Sequence, residues 1–121
     1  NTSAKLIGVT ALTSLDSDDL SIYKFSSRSS LVNDLAKKAS AYGMNGVVCS
    51  PGDIPNIGIV DNKFEYVTPG IRLNTKKDDH DKTFTPEDAI RLGSTHLVLG
   101  RAVTESDNPE KTIMSIIKFL N

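Results

Sequence analysis

Four short apolar runs punctuate the chain, at residues 6–10 (Leu-Ile-Gly-Val-Thr), 46–50 (Gly-Val-Val-Cys-Ser), 66–68 (Tyr-Val-Thr) and 96–100 (His-Leu-Val-Leu-Gly). Each is β-branched or aliphatic and is bounded by turn formers, which predicts a strand. Their apolar character is continuous rather than alternating, as suits strands covered on both faces. Helical periods fill the gaps. Between Ser30 and Tyr42 the apolar residues Leu31, Leu35, Ala39 and Tyr42 recur at helical spacing, with Ser29 or Ser30 placed to cap the start and Gly43 to stop it. Thr85-Pro86-Glu87-Asp88 reads as a cap, a proline at the first helical position and acids in the first turn, and Gly93 ends that helix. Asn108-Pro109-Glu110 opens a last helix with an apolar face of Ile113, Ile116, Ile117 and Leu120.

The expected order is β-α four times over, which implies a parallel sheet in an α/β fold. Four such units make half of a TIM (β/α)8 barrel, or a small open sheet. A whole barrel takes about 250 residues, and this chain has 121. The longest polar loop between a strand and a helix is residues 73–84, on the side that carries function in this architecture. The chain starts without Met and without a leader of basic then apolar residues, and is expected to begin in mid-protein.

Composition narrows the function classes. Hydrophobic residues make up 38% and charged residues 24%, with a formal net charge of -1. The basic residues are scattered, which argues against a nucleic-acid partner. No apolar run reaches the roughly 18 residues of a membrane span. Cys49 is the single cysteine, so no disulfide forms within the chain, and a cytoplasmic location is expected. Its apolar setting predicts a buried small hydrophobe rather than a nucleophile.

The candidate chemistry lies in two glycine-arginine turns, Val67-Thr68-Pro69-Gly70-Ile71-Arg72 and Gly100-Arg101-Ala102-Val103-Thr104. A backbone rich in glycine lets an anion approach, and a guanidinium fork grips its oxygens. Arg101 is read as a phosphate ligand or, failing that, a surface arginine. Thr13 and Ser14 follow the first strand, where they cap the turn at residues 16–19 or hydrogen-bond a heterocycle. His80 stands among Asp78, Asp79 and Asp81, but adjacent residues point apart, so no metal is expected. His96 is expected to begin a strand without a catalytic role. Asp61-Asn62-Lys63 is read as an exposed turn.

With the segment at residues 9–14 (Val-Thr-Ala-Leu-Thr-Ser), these motifs resemble orotidine 5'-phosphate decarboxylase along essentially the whole chain. Residues 67–72 repeat the family's V-T-P-G-I-R unchanged. Residues 9–14, 46–50 and 100–104 resemble its fifth-, sixth- and final-strand motifs. The resemblance implies strands five to eight of the barrel, with residues 1–121 as one C-terminal half-barrel domain carrying the phosphate-binding side. It implies a cofactor-free lyase making UMP from OMP in pyrimidine synthesis. Thr13 would lie against the base and ribose, Pro69 would border the base pocket, and Arg72, Gly100 and Arg101 would hold the 5'-phosphate. His80 falls where the family usually has a loop glutamine. The family's catalytic Asp-x-Lys-x-x-Asp segment is absent from these residues, so the resemblance implies no catalytic residue here. The alternatives are a non-catalytic nucleotide-binding half-barrel and another phosphate-binding barrel enzyme such as a hexulose-phosphate synthase relative. Half a barrel leaves strand edges unpaired, so an N-terminal half-barrel or a homodimer partner is expected.

Overall fold

The computed structural model describes residues 2–11, 27–59, 61–73 and 83–121. Four strands form one sheet: β1 (Ile7–Val9), β2 (Gly46–Val48), β3 (Glu65–Thr68) and β4 (His96–Leu97). All pairings are parallel and the spatial order is β1-β2-β3-β4. The order follows the chain and never reverses, the progression of a barrel rather than of a doubly wound sheet. Ile7 stands opposite Gly46, Gly46 opposite Glu65, and Val67 opposite His96. Gly46 is required by this register, because a Cβ there would lie 2.2 Å from the Glu65 carbonyl oxygen.

The connections are α1 (Arg28–Ala41), a 3-10 helix (Pro51–Asn56), α2 (Pro86–Leu92), α3 (Arg101–Thr104) and α4 (Pro109–Leu120). Two caps, Thr85 and Asn108, form as the sequence predicts, whereas the first helix starts earlier than expected, so Ser27 caps it and Ser29 and Ser30 lie inside its first turn. Ser27 accepts from the Ser30 N–H, Thr85 from Asp88 and Asn108 from Lys111. The second βα unit differs, since its helix is a 3-10 helix. Pro51 opens it and Pro55 lies inside it, and a proline without an N–H cannot extend an α-helical ladder. The fourth unit also differs, because a four-residue helix precedes the long one.

Val32, Ala36, Ala39, Val47, Cys49, Ile54, Ile57 and Phe64 form the main core between α1, the sheet and the 3-10 helix. The buried face of α1 is therefore Leu31, Val32, Ala36 and Ala39. Leu35 is half-buried and Tyr42, the C-cap residue, is exposed, so the expected stripe is rotated toward Val32. On α4 only Ile116 is buried, while Ile113, Ile117 and Leu120 are exposed. This helix packs on α3, a surface too short to cover its stripe.

Both sheet edges are open among the described residues, since β1 and β4 each have one neighbour. Leu6 and Val9 at the first edge are 64% and 66% exposed, and Val98 beyond the last is 47% exposed. No helix among the described residues is long and apolar enough to cross a membrane.

Candidate functional site

The chain leaving β3 is anchored before it delivers an arginine. Thr68 is fully buried, and its hydroxyl donates to Ser94 Oγ at 2.9 Å. Pro69 follows half-buried, and Gly70 turns the chain with φ 76°, a left-handed conformation that favours glycine. Ile71 is 1% exposed. The Arg72 N–H donates to the Phe84 carbonyl at 2.8 Å, and the Phe84 N–H donates to the Gly70 carbonyl at 3.2 Å. These two bonds pin the base of the long polar loop, so the Arg72 side chain leaves a fixed backbone. Its Nη1 donates to the Ile71 carbonyl at 3.4 Å.

β4 ends sooner than the sequence suggests. The Val98 N–H still donates to the Thr68 carbonyl at 2.9 Å, but residues 98–100 then turn away. Gly100 is the N-cap of α3, and its carbonyl accepts from the N–H groups of Val103 and Thr104. Val103 is buried and roots the short helix. Arg101 thus opens a helix rather than closing a strand, and its side chain is exposed.

Arg72 and Arg101 line one cleft of about 340 Å³ with Ala102, Glu105 and Ser106. Two guanidiniums against one carboxylate leave the cleft one positive charge. Ser106 Oγ is committed, donating to the Val103 carbonyl at 2.6 Å and accepting from Thr112 Oγ1 at 3.1 Å. Arg101 makes no ion pair among the described residues. A cleft of this size and charge has the means to take a phosphate through bidentate guanidinium contacts.

The other sequence candidates stand as follows. Gly100 is exposed beside Arg101, with open space where a side chain would begin. Pro69 is not among the cleft-lining residues. Thr13 and His80, with Ser14, the turn at residues 16–19, Asp78, Asp79 and Asp81, lie outside the described residues. His96 begins β4, exposed, with Nδ1 2.9 Å from Thr95 Oγ1. Asp61-Asn62-Lys63 is an exposed turn, with Asp61 Oδ1 accepting from the Lys63 N–H at 2.9 Å. Glu105 and Ser106 line the cleft without a motif in the sequence to mark them. The spacing of Arg101 and Glu105, four residues apart at the two ends of one short helix, was the available signal for the former.

A second polar group sits at the ends of β1 and β2. Arg28 Nη1 pairs with Asp53 Oδ1, Arg28 Nη2 donates to the Ala11 carbonyl at 3.2 Å, and Asp53 Oδ2 accepts from the Ser50 N–H at 3.0 Å. Cys49 lies below it, 2% exposed. Burial, then the Asp53 carboxylate, push its thiol up to about 12 against an opposing pull from Arg28. Cys49 is therefore expected to resist a thiol reagent at pH 8 and to react fully in denaturant. The unfolded thiol ionises from its ordinary 9.0. Stability should accordingly fall as pH rises beyond that value, because the unfolded state then holds fewer protons than the folded state. A folded chain labelled at the denatured rate would contradict this placement.

Comparison with known proteins adds the following. The model of the orotidine 5'-phosphate decarboxylase / HUMPS family matches residues 1–116. Orotidine 5'-phosphate decarboxylase of Wolbachia pipientis subsp. Culex pipiens is 43% identical over 118 residues, covering 96% of this chain and 52% of that protein. The Wigglesworthia glossinidia brevipalpis enzyme of the same name is 40% identical over 100% of this chain and 53% of its own length. Among solved structures, the decarboxylase from Lactobacillus acidophilus superposes with TM-score 0.78 at 34% identity, covering 99% of this chain and 50% of that one. The chain spans about half the length of the relatives it matches.

Proposed function

The chain belongs to the orotidine 5'-phosphate decarboxylase / HUMPS family, and we propose that its Arg72–Arg101 cleft receives the 5'-phosphate of OMP and UMP. The observation that carries this is the meeting of the two arginines in one cleft of net positive charge. The hydrogen-bonded backbone around Arg72 fixes the point from which its side chain starts, which limits the backbone entropy lost on binding. Thr13, Pro69, His80 and Gly100 complete the proposed nucleotide contacts. In this reading the chain supplies the phosphate-gripping half of a cofactor-free decarboxylase.

Binding and chemistry separate cleanly here. Stabilising the carbanion left by CO2 takes a fixed ammonium, and the family's Asp-x-Lys-x-x-Asp segment is absent from the 121 residues. Binding ground state and transition state equally does not lower the barrier. The chain alone is therefore expected to bind UMP more tightly than uridine by calorimetric titration, and to leave OMP unchanged by ultraviolet absorbance. Equal affinity for UMP and uridine would remove the phosphate from this cleft, and turnover above a no-protein control would show that other residues do the chemistry.

The proposed partner is a second four-stranded half that pairs with the β1 and β4 edges, supplied by another segment or by a second copy of this chain. Open parallel edges beside exposed Leu6, Val9 and Val98 support it, since unpaired strand groups and exposed apolar surface favour association. Sedimentation at micromolar concentration should show self-association of the isolated chain. A monomer with a sharp thermal transition would show that four units close their own core. The buried free thiol of Cys49 supports a cytoplasmic setting, where thiols stay reduced.

A further inference from the structure

The pair of Arg28 and Asp53 joins three chain segments that lie far apart in sequence. Arg28 is the first residue of α1, Asp53 sits in the 3-10 helix after β2, and Ala11 lies two residues beyond β1. The side chains are only 23% and 11% exposed. Asp53 uses both carboxylate oxygens, one on the Ser50 N–H and one on Arg28. Arg28 uses two nitrogens of its fork, one on Asp53 and one on the Ala11 carbonyl. A lysine ammonium on its single flexible stem does not reproduce that fixed span.

We infer that Arg28 is a positioning residue for the β1 end of the ligand-binding face, holding the exit of β1 against the exit of β2. The last described tie between those strands is Thr10, whose N–H and hydroxyl both donate to the Val48 carbonyl, at 3.2 and 2.8 Å. Immediately beyond it, Arg28 holds the Ala11 carbonyl. Thr13, proposed to meet the base and ribose, follows two residues later in the sequence. The inference rests on that nucleotide reading for its consequence, but its structural content is the clamp itself. The clamp lies apart from the arginine cleft, so its loss should act on the nucleoside end of the ligand and not on the phosphate.

The test uses Arg28→Lys and Arg28→Ala in the 121-residue chain, with Arg28→Lys carrying the measurement if the alanine variant does not fold. Amide hydrogen exchange at Thr10 should speed up by about tenfold or more in both variants, with the central-strand amide of Val47 as the unchanged control. UMP and uridine should lose affinity equally, by about three- to tenfold, the worth of one neutral hydrogen bond. Unchanged exchange at Thr10 overturns the inference, and so does faster exchange with intact affinity for both ligands. A loss confined to UMP overturns it too, because Arg28 would then act on the phosphate. If the wild-type chain binds neither ligand, the nucleotide reading fails, and the Thr10 exchange rate alone decides whether Arg28 positions β1.

Discussion

Replacing Arg72 and Arg101 together by alanine should weaken UMP binding by about 3–6 kcal/mol, two to four orders of magnitude, and leave uridine binding unchanged. Each arginine offers a charge-assisted contact worth about 1.5–3 kcal/mol, and both line the same cleft. Arg101 is exposed and Arg72 half-buried, so truncating them leaves the core intact. Surface substitutions of this kind usually change stability by no more than about 0.5 kcal/mol. The single variants sharpen the result. The figure of about 3–6 kcal/mol is the additive reference, and because two arginines gripping one phosphate share a partner, the departure of the single losses from that sum measures their coupling. Glu105→Gln offers the opposite sign, since it removes the one carboxylate of the cleft and should strengthen UMP binding. Calorimetric titration of UMP and uridine against each variant reads all of this. Equal losses for both ligands would mean that the arginines shape the fold rather than hold a phosphate.

The strand runs were legible from their continuous apolar character, although only the central β2 carries most of it into the core and the edge strands β1 and β4 leave part of theirs exposed. Val47 and Cys49 show this, both buried within a segment readable at first sight. Caps were legible for a local reason: Thr85 and Asn108 satisfy N–H groups three residues on, and nothing distant enters. The extent of β4 was not legible. Residues 98–100 look like a strand, yet the chain turns away after Leu97 and Gly100 caps a helix. The face of α1 departs from its apolar period at the C-terminal end. Tyr42 continues the apolar period but falls on the cap, where the helix no longer sets its direction.

The site divides in the same way. Arg72 and Arg101 stand out because a cation directly after a strand and a glycine has few structural uses. Glu105 does not, since an exposed acid at the end of a short helix is ordinary until a cleft forms around it. Arg28 was silent in the sequence because its two partners, Ala11 and Asp53, are 17 and 25 residues away. The acidic end of that pair did leave a local trace: Ser50-Pro51-Gly52-Asp53 has the spacing of a capping box, and the box forms. A long-range arginine bridge leaves no such period to read. The α4 stripe carries the reverse lesson. Its apolar period is plain, and the described residues cover only Ile116, so amphipathic spacing announced a surface to be covered and not what covers it.

Ile71→Ala should destabilise the chain by about 2–5 kcal/mol, the cost of a cavity where a large aliphatic side chain was buried. Ile71 heads the fully buried side chains by volume among the described residues and is 1% exposed. It lies between the left-handed Gly70 and Arg72, and pairs in a parallel bridge with Phe84 at the return of the long loop. Losing it removes apolar burial and loosens the backbone that aims Arg72. For a domain of this size the shift in melting temperature should be on the order of 10–20 °C. Ile71→Val, with one methylene removed, should cost only about 0.5–1.5 kcal/mol. Function should follow the anchor. Below its melting temperature, Ile71→Ala should bind UMP more weakly than wild type, whereas Ile71→Val should keep most of the affinity. Thermal denaturation and titration of the two variants check both halves. An Ile71→Ala chain that melts within a few degrees of wild type would show that the Phe84 bridge alone holds the base of the loop. Full UMP affinity in a destabilised Ile71→Ala chain would instead separate the packing of Ile71 from the aim of Arg72.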